Sequence, residues 1–247
     1  MTRPLIIIYF LVHLLLATIG FLVSRLFEAE VFKSVGSSMI AAGIAGMVVF
    51  FYVLATTRTS DALEVLRGAG LKNVFPARSV LIRKQYDDRL KSATERLDVI
   101  GFGLRALRED YGDSFSAWSA KFPVRILLID PEYPASPHTF ARIRDAEEKT
   151  RVGEIETDVK AFVKASSQVV NRGNFQVRLY RAIPSINYFR IDDDIFWGPY
   201  LLGGPSRKMP TLLVRRGGFL FDHLSAHFDR LWEPESSRNP PQDWYTG

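Results

Sequence analysis

Side chains able to do chemistry are thinly spread along this chain. It has four histidines, at 13, 138, 223 and 227, and no cysteine, so a disulfide framework and a thiolate metal site are both excluded. His223 and His227 stand four apart, the spacing at which two imidazoles on a helix can share a metal. The nearest acidic residues, Asp222 and Asp229, would not share their face well, so no metal is expected. Gly101-Phe-Gly103 lacks the third glycine and the distant acidic partner of a dinucleotide fingerprint, so no cofactor is expected either. What remains is charge chemistry. Arg181 and Arg190 flank the run Asp192-Asp193-Asp194, and an arginine fork suits phosphate oxygens. The competing use of Arg190 is an ion pair with one of those aspartates. Arg207, Lys208, Arg215 and Arg216 form a second basic cluster, suited to a solvated edge or to lipid headgroups. Glu147, Glu148, Glu154, Glu156 and Asp158 look like one solvated helix face.

The elements that must position these groups fall into two classes. The chain has 247 residues, of which 47% are hydrophobic and 24% charged, with a net charge of +5. That composition excludes disorder and collagen-like repeats and biases the chain toward anionic partners. The apolar excess lies before residue 58. No fixed charge occurs from Pro4 to Ser24 or from Ser34 to Thr57. Each run is long enough to cross a hydrocarbon layer, which takes about 20 helical residues. A cleaved signal peptide fits less well, because a second span follows at once. Arg3 precedes the first span, and Arg58, Arg67, Lys72, Arg78, Arg83 and Lys84 follow the second, against Arg25 and Lys33 in the link. That asymmetry predicts both termini on the cytoplasmic side of a bacterial inner membrane, with the bilayer as a partner. In the second span Ser38, Ala42 and Gly46 stand four apart, a small-residue stripe for close helix packing within the hairpin or between copies. His13 lies near the middle of the first span, where an ionisable group is a functional candidate.

Residues 58–78 read as a connector broken by Gly68, Gly70 and Pro76, and 79–233 as an α/β domain. Helices are expected over 79–94, 104–121, 138–171 (with a break at Gly153) and 219–232. Strands are expected over 97–103, 123–131, 175–181, 187–192, 194–200 and 211–216. The Pro- and Ser-rich stretch 234–247 reads as a flexible tail. Strand–helix alternation calls for a mixed, mainly parallel sheet with helices on both faces, and such sheets bind ligands beyond the carboxyl ends of their strands. Those ends supply Gly101, Gly103, Asp130 and Arg181.

The order strand–helix–strand–helix–three strands–helix resembles one half of the phospholipase D superfamily. LDVIGFG resembles its first strand, VRILLIDP its second, NYFRIDDDIFWGPYLLGG its motif hairpin and HFDRLW its final helix. The resemblance implies a covalent phosphodiester chemistry that needs His-x-Lys-x4-Asp. Here the pattern fails. If Asp192 takes the Asp place, Ser185 and Asn187 stand where His and Lys belong; if Asp194 does, Asn187 and Phe189 do. The resemblance therefore implies a catalytically inactive, phosphodiester-shaped domain, with Gly103, Asp130, Arg181, Asn187, Arg190 and Asp192 as ligand-binding candidates. Joined to a hairpin, it resembles the membrane effectors of bacterial anti-phage systems. On that analogy the chain is a homo-oligomer whose hairpins form a pore, with a nucleotide or oligonucleotide as ligand. A membrane-tethered adaptor for a protein partner and an anchored phosphodiesterase stay open as alternatives.

Overall fold

The computed structural model describes residues 3–77, 80–170 and 173–246. The chain divides into two compact units, 1–65 and 66–247.

The first unit is a helical hairpin. Helix α1 spans Arg3–Leu26 and α2 spans Glu30–Ala69. Within them, Ile7–Leu26 and Glu30–Ala55 are long and apolar enough to cross a membrane. Most of their large side chains are exposed, which in water would be untenable and in lipid is expected. The two helices touch through glycines. A Cβ on Gly20 would lie 2.7 Å from the Gly36 carbonyl, and one on Gly43 would lie 2.8 Å from that of His13. Further along, Phe50 packs against the rings of Tyr9 and Phe10. The hydroxyls of Thr18, Ser24, Ser37 and Ser38 donate to carbonyls three or four residues back, which satisfies them without a second helix. The stripe expected on α2 is therefore split. Gly46 is buried against α1, whereas Ser38 and Ala42 are exposed. The reason is angular: Gly36, Gly43 and Gly46 recur at spacings near 3.5, and that seam, not the i, i+4 row from Ser38, faces the partner helix.

The expected connector is a helix and a strand. Residues 58–67 are mostly good helix formers, so α2 continues to Ala69 and stops at Gly70, whose φ of +75° ends it in the left-handed region. Strand β1 follows at Leu71–Phe75.

The second unit is built on one eight-stranded sheet. After β1 come α3 (Val80–Ser92), β2 (Leu97–Gly101), α4 (Arg105–Tyr111), α5 (Phe115–Lys121) and β3 (Val124–Ile129). Next are α6 (Phe140–Glu148), α7 (Glu154–Val170), β4 (Phe175–Tyr180), β5 (Ile186–Ile191) and β6 (Asp194–Pro199). The chain ends with β7 (Thr211–Arg215), α8 (Phe219–Trp232), β8 (Ser237–Arg238) and α9 (Asp243–Thr246). The strand order is β1-β7-β6-β5-β2-β3-β4-β8. Only β2–β3 and β3–β4 are parallel among the described pairings; the other five are antiparallel. The sheet is mixed as expected but mainly antiparallel, because the tight β5–β6 turn and the short return to β7 leave no room for crossovers.

Alternation along the strands sends side chains to two covered faces. On one, Phe115 of α5 meets Phe162 of α7 and Phe175 of β4, and Tyr86 of α3 meets Phe189 and Phe196. On the other, α8 lays Phe221, Leu224, Phe228 and Leu231 inward, with Phe228 stacked on Tyr188. The expected helix 138–171 breaks at Gly153 (φ +87°) into α6 and α7. There the buried Asp145 carboxylate accepts the N–H groups of Gly153 and Ile155 at 2.7 and 3.1 Å. The stretch read as a flexible tail is structured: β8 pairs with β4, and Lys160 of α7 sits over the Trp244 ring at 5.3 Å.

Candidate functional site at the carboxyl edge

Strands β2, β3 and β4 end at one edge of the sheet, where antiparallel β5 begins and β6 ends. Asp130 stands at the first position beyond β3 and is fully buried. Arg238 reaches it from β8 with two bonds, Nε to Oδ2 at 2.6 Å and Nη2 to Oδ1 at 2.7 Å. Arg181 donates to Oδ2 at 2.8 Å, and the Glu132 N–H to Oδ1 at 3.1 Å. Burial alone would raise the pKa of this carboxyl. The bonds from Arg238, Arg181 and Glu132 more than offset that, and the pKa lies below its ordinary value. Arg181 itself is half exposed, so its guanidinium has donors left over for solvent or a ligand.

The structure places Asp130, Arg181, Gly103 and Asn187 at this edge, with Asp130 and Arg181 in direct contact, and places Arg190 and Asp192 at the opposite one. Asn187 is at the same edge, buried, with its amide donating to the Gly198 carbonyl at 2.8 Å. Gly103 serves helix packing, since a Cβ there would lie 2.4 Å from that of Asp158 on α7. Arg190 lies at the far end of β5, where Nε donates to the Asp192 carbonyl at 2.8 Å and the guanidinium covers the Phe221 ring at 4.8 Å. In place of the expected carboxylate pair, Nη1 donates to Ser225 Oγ at 3.3 Å, so Arg190 fastens α8 to the sheet. Asp192 forms the β5–β6 turn with φ +50°, and its carboxylate accepts the N–H groups of Thr94, Glu95 and Arg96 at 2.9, 2.8 and 2.9 Å. The motif hairpin thus runs from one edge to the other, and its carboxylate is spent on the loop before β2.

The second basic cluster also divides. Arg215 forks onto Asp194 (2.7 and 2.9 Å) beside Arg89, and Arg216 pairs with Asp193 and Glu95. Burial pushes the Asp194 carboxyl up, and Arg215 and Arg89 bring it below its ordinary value. Arg207 and Lys208, by contrast, are exposed in the β6–β7 loop and have no side-chain partner among the described residues.

One residue that the sequence did not single out organises this edge. Arg144 of α6 is only 3% exposed. Its guanidinium pairs with Glu147 and Glu148, donates to the carbonyls of Leu201 and Gly204 at 3.3 and 3.4 Å and to Ser206 Oγ at 3.2 Å, and lies over the Tyr200 ring at 5.3 Å. Glu148 in turn accepts from the Ser206 N–H at 3.0 Å. The face expected to be solvated is therefore used: Glu148 holds a loop, and Glu154 and Asp158 hold Arg105. The available signal was an arginine three and four residues before two glutamates, which many exposed helices share.

The four histidines do not converge. His138 and His223 are exposed, burial and then Arg230 lower the pKa of half-buried His227, and among the described residues no three His, Asp or Glu side chains gather as metal ligands. His13 donates from Nδ1 to the Tyr9 carbonyl at 2.9 Å with its ring against Gly46. The carboxyl edge can bind an anion through Arg181 and present apolar loops.

No family model matches the chain, and no curated protein matches it. Among solved structures it is distantly similar to TrmBL2, an archaeal chromatin protein whose structure shows a novel mode of DNA binding, at 12% identity over 83% of this chain and 70% of that one, with a TM-score of 0.43. It is also distantly similar to phosphatidylserine synthase of Haemophilus influenzae, at 12% identity over 68% of this chain and 39% of the synthase, with a TM-score of 0.44.

Proposed function

We propose that the chain is a membrane-anchored effector whose α/β domain binds a ligand and does not catalyse. The observation that carries this reading is the state of the motif hairpin in a chain that also holds two uncovered apolar helices. Where the resemblance calls for a nucleophile and a cation stand Ser185 and Asn187, or Asn187 and Phe189 in the other register, and Asn187 spends its amide on the Gly198 carbonyl. Without a nucleophile, what is left at the carboxyl edge is a half-exposed guanidinium, Arg181, anchored by a buried carboxylate. That is a recognition element for a phosphate-bearing ligand, and a nucleotide or short oligonucleotide is the class we assign. The hairpins of several copies then form a pore or channel-like assembly, which ligand binding opens or closes through differential affinity for the two states. A role in anti-phage defence follows from the resemblance to membrane effectors.

Native mass spectrometry of the full-length protein released from detergent tests this directly. The expected spectrum is a closed oligomer carrying a phosphate-rich adduct. Arg181→Ala should lose the adduct, with affinity down about 10- to 100-fold for one charged hydrogen-bonding group. It should keep the fold, because Arg238 still holds both oxygens of Asp130. A bare monomer from the unaltered chain, or an adduct indifferent to Arg181, would overturn the proposal.

A further inference from the structure

Arg181 and Arg238 converge on one oxygen. Both Nε groups donate to Oδ2 of the fully buried Asp130, at 2.8 and 2.6 Å, so an oxyanion seated beside that carboxylate can reach both guanidiniums. Arg181 uses only its Nε–H there, and among the described residues its Nη1 and Nη2 groups have no protein partner. Arg238 differs. Its Nη2 donates to Oδ1 of Asp130 and also, at 2.6 Å, to Oε2 of Glu132, a side chain that is 66% exposed. The turn after β3 keeps Glu132 at this spot, because its own N–H is bound to Asp130 Oδ1. A solvent-facing carboxylate therefore sits on a guanidinium that a buried carboxylate has already fixed in place.

We propose that Arg238 completes the anion subsite begun by Arg181, that Glu132 fills it as an internal competitor, and that its ligand is a terminal phosphate, a phosphomonoester and not an internal phosphodiester. The inference rests on the anion-binding reading above and narrows its ligand. An ion pair as exposed as Glu132 with Arg238 shifts an equilibrium by about fivefold at most, so a ligand displaces Glu132 easily and water takes up the freed carboxylate. Charge then decides which ligand gains. Arg181 and Arg238 against Asp130 leave one net positive charge. A phosphodiester brings the single negative charge that Glu132 already supplies. A phosphomonoester, with a second pKa of about 6, brings close to two at neutral pH. Displacing Glu132 costs the same for either, and the second charge adds about fivefold at contact distance in water.

Full-length protein in a maltoside detergent at about pH 8 would be titrated with methyl phosphate and with dimethyl phosphate, and binding read by phosphorus NMR line broadening. The monoester should bind about fivefold more tightly than the diester. Glu132→Gln should tighten both by about two- to fivefold, because the competitor is gone. Glu235→Gln is the control: it removes an exposed charge from the loop leading into β8 that is paired with neither arginine, and it should leave both affinities nearly unchanged. Competition by nucleoside 5′-monophosphates and by 5′-phosphorylated trinucleotides then identifies the source of the terminal phosphate. Displacement of methyl phosphate by either supports the assignment, and displacement by neither overturns its nucleotide class. If neither ester binds, the anion-binding reading and this inference fall together. If both bind and are lost in Arg181→Ala, yet bind equally well or ignore Glu132→Gln, the inference alone falls. An equal gain from Glu235→Gln would reveal a general charge effect and would likewise remove the competitor role from Glu132.

Discussion

Asp130 shows how a single buried charge is made tolerable. Removing a carboxylate from water costs several kcal/mol, and three donors on two guanidiniums, with one backbone N–H, repay it through short, directional bonds. Because the folded pKa lies below the ordinary value, the ionised form is the one the fold favours. The stabilisation is fully present above the unfolded pKa, near 4, and is lost as the pH falls through the folded value. Asp130→Asn keeps the shape and removes the charge. Its expected cost near pH 7 is about 3 kcal/mol, and the gap to the unaltered protein should close as the pH drops below about 4. All four tryptophans lie in the second unit, so urea unfolding followed by tryptophan emission reads this domain and not the hairpin. An equal difference between the two proteins at pH 7 and well below pH 4 would show that the carboxylate charge is not what holds the arginines. Asp194, between Arg215 and Arg89, follows the same logic at the opposite edge.

At the scale of elements, the C-terminal stretch matters more than its composition indicates. Strand β8 is two residues long, yet it covers the end of β4, delivers Arg238 to Asp130 and leads to α9 against α7. Deleting residues 236–247 therefore exposes a strand edge and strips Asp130 of its bidentate partner. The truncated protein should unfold at lower urea, by about 3–5 kcal/mol for the broken buried pair, and should aggregate on release from detergent. Arg238→Ala alone should move stability the same way by less, since Arg181 remains; an unchanged midpoint for the truncation would return these residues to the status of a tail. The regular elements were legible because burial imposes a period: PVRILLIDP and FQVRLYR carry their strand character in runs and alternation. Strands β1 and β8 were not, since LKNVF buries one side chain and pairs at the sheet edge only because Gly70 turns the chain there. Gly103 misled for a related reason: a glycine after a strand admits a phosphate or a helix equally well, and here it admits α7. Arg190 and Asp192 misled because proximity along a hairpin says nothing of which edge each residue reaches.

For the whole molecule, the hairpin offers two surfaces of small residues, and they make separable predictions. The inner one is used within the chain: a Cβ on Gly46 would fall 1.7 Å from Cδ2 of His13, so no larger residue fits without moving that ring. The outer one, with Ser38 and Ala42 exposed among Ala41 and Ala45, is open to lipid or to another copy. If copies assemble through the outer face, as the effector proposal requires, Ala42→Leu should lower the subunit number in native mass spectra while leaving the helix content of the hairpin unchanged. Gly46→Leu should instead loosen the hairpin itself, by about 1–3 kcal/mol for an overpacked contact. His13→Ala combined with Gly46→Ala should recover part of what Gly46→Ala alone loses, because the smaller side chain vacates the clash. An Ala42→Leu protein that keeps its subunit number would take the outer face out of the assembly. An assembly lost only with Gly46→Leu would mean that copies exchange helices through the inner seam. The two substitutions lie one helical turn apart on α2 and only about 40° apart around its axis, so opposite outcomes for them would place the boundary of the contact between copies within that arc.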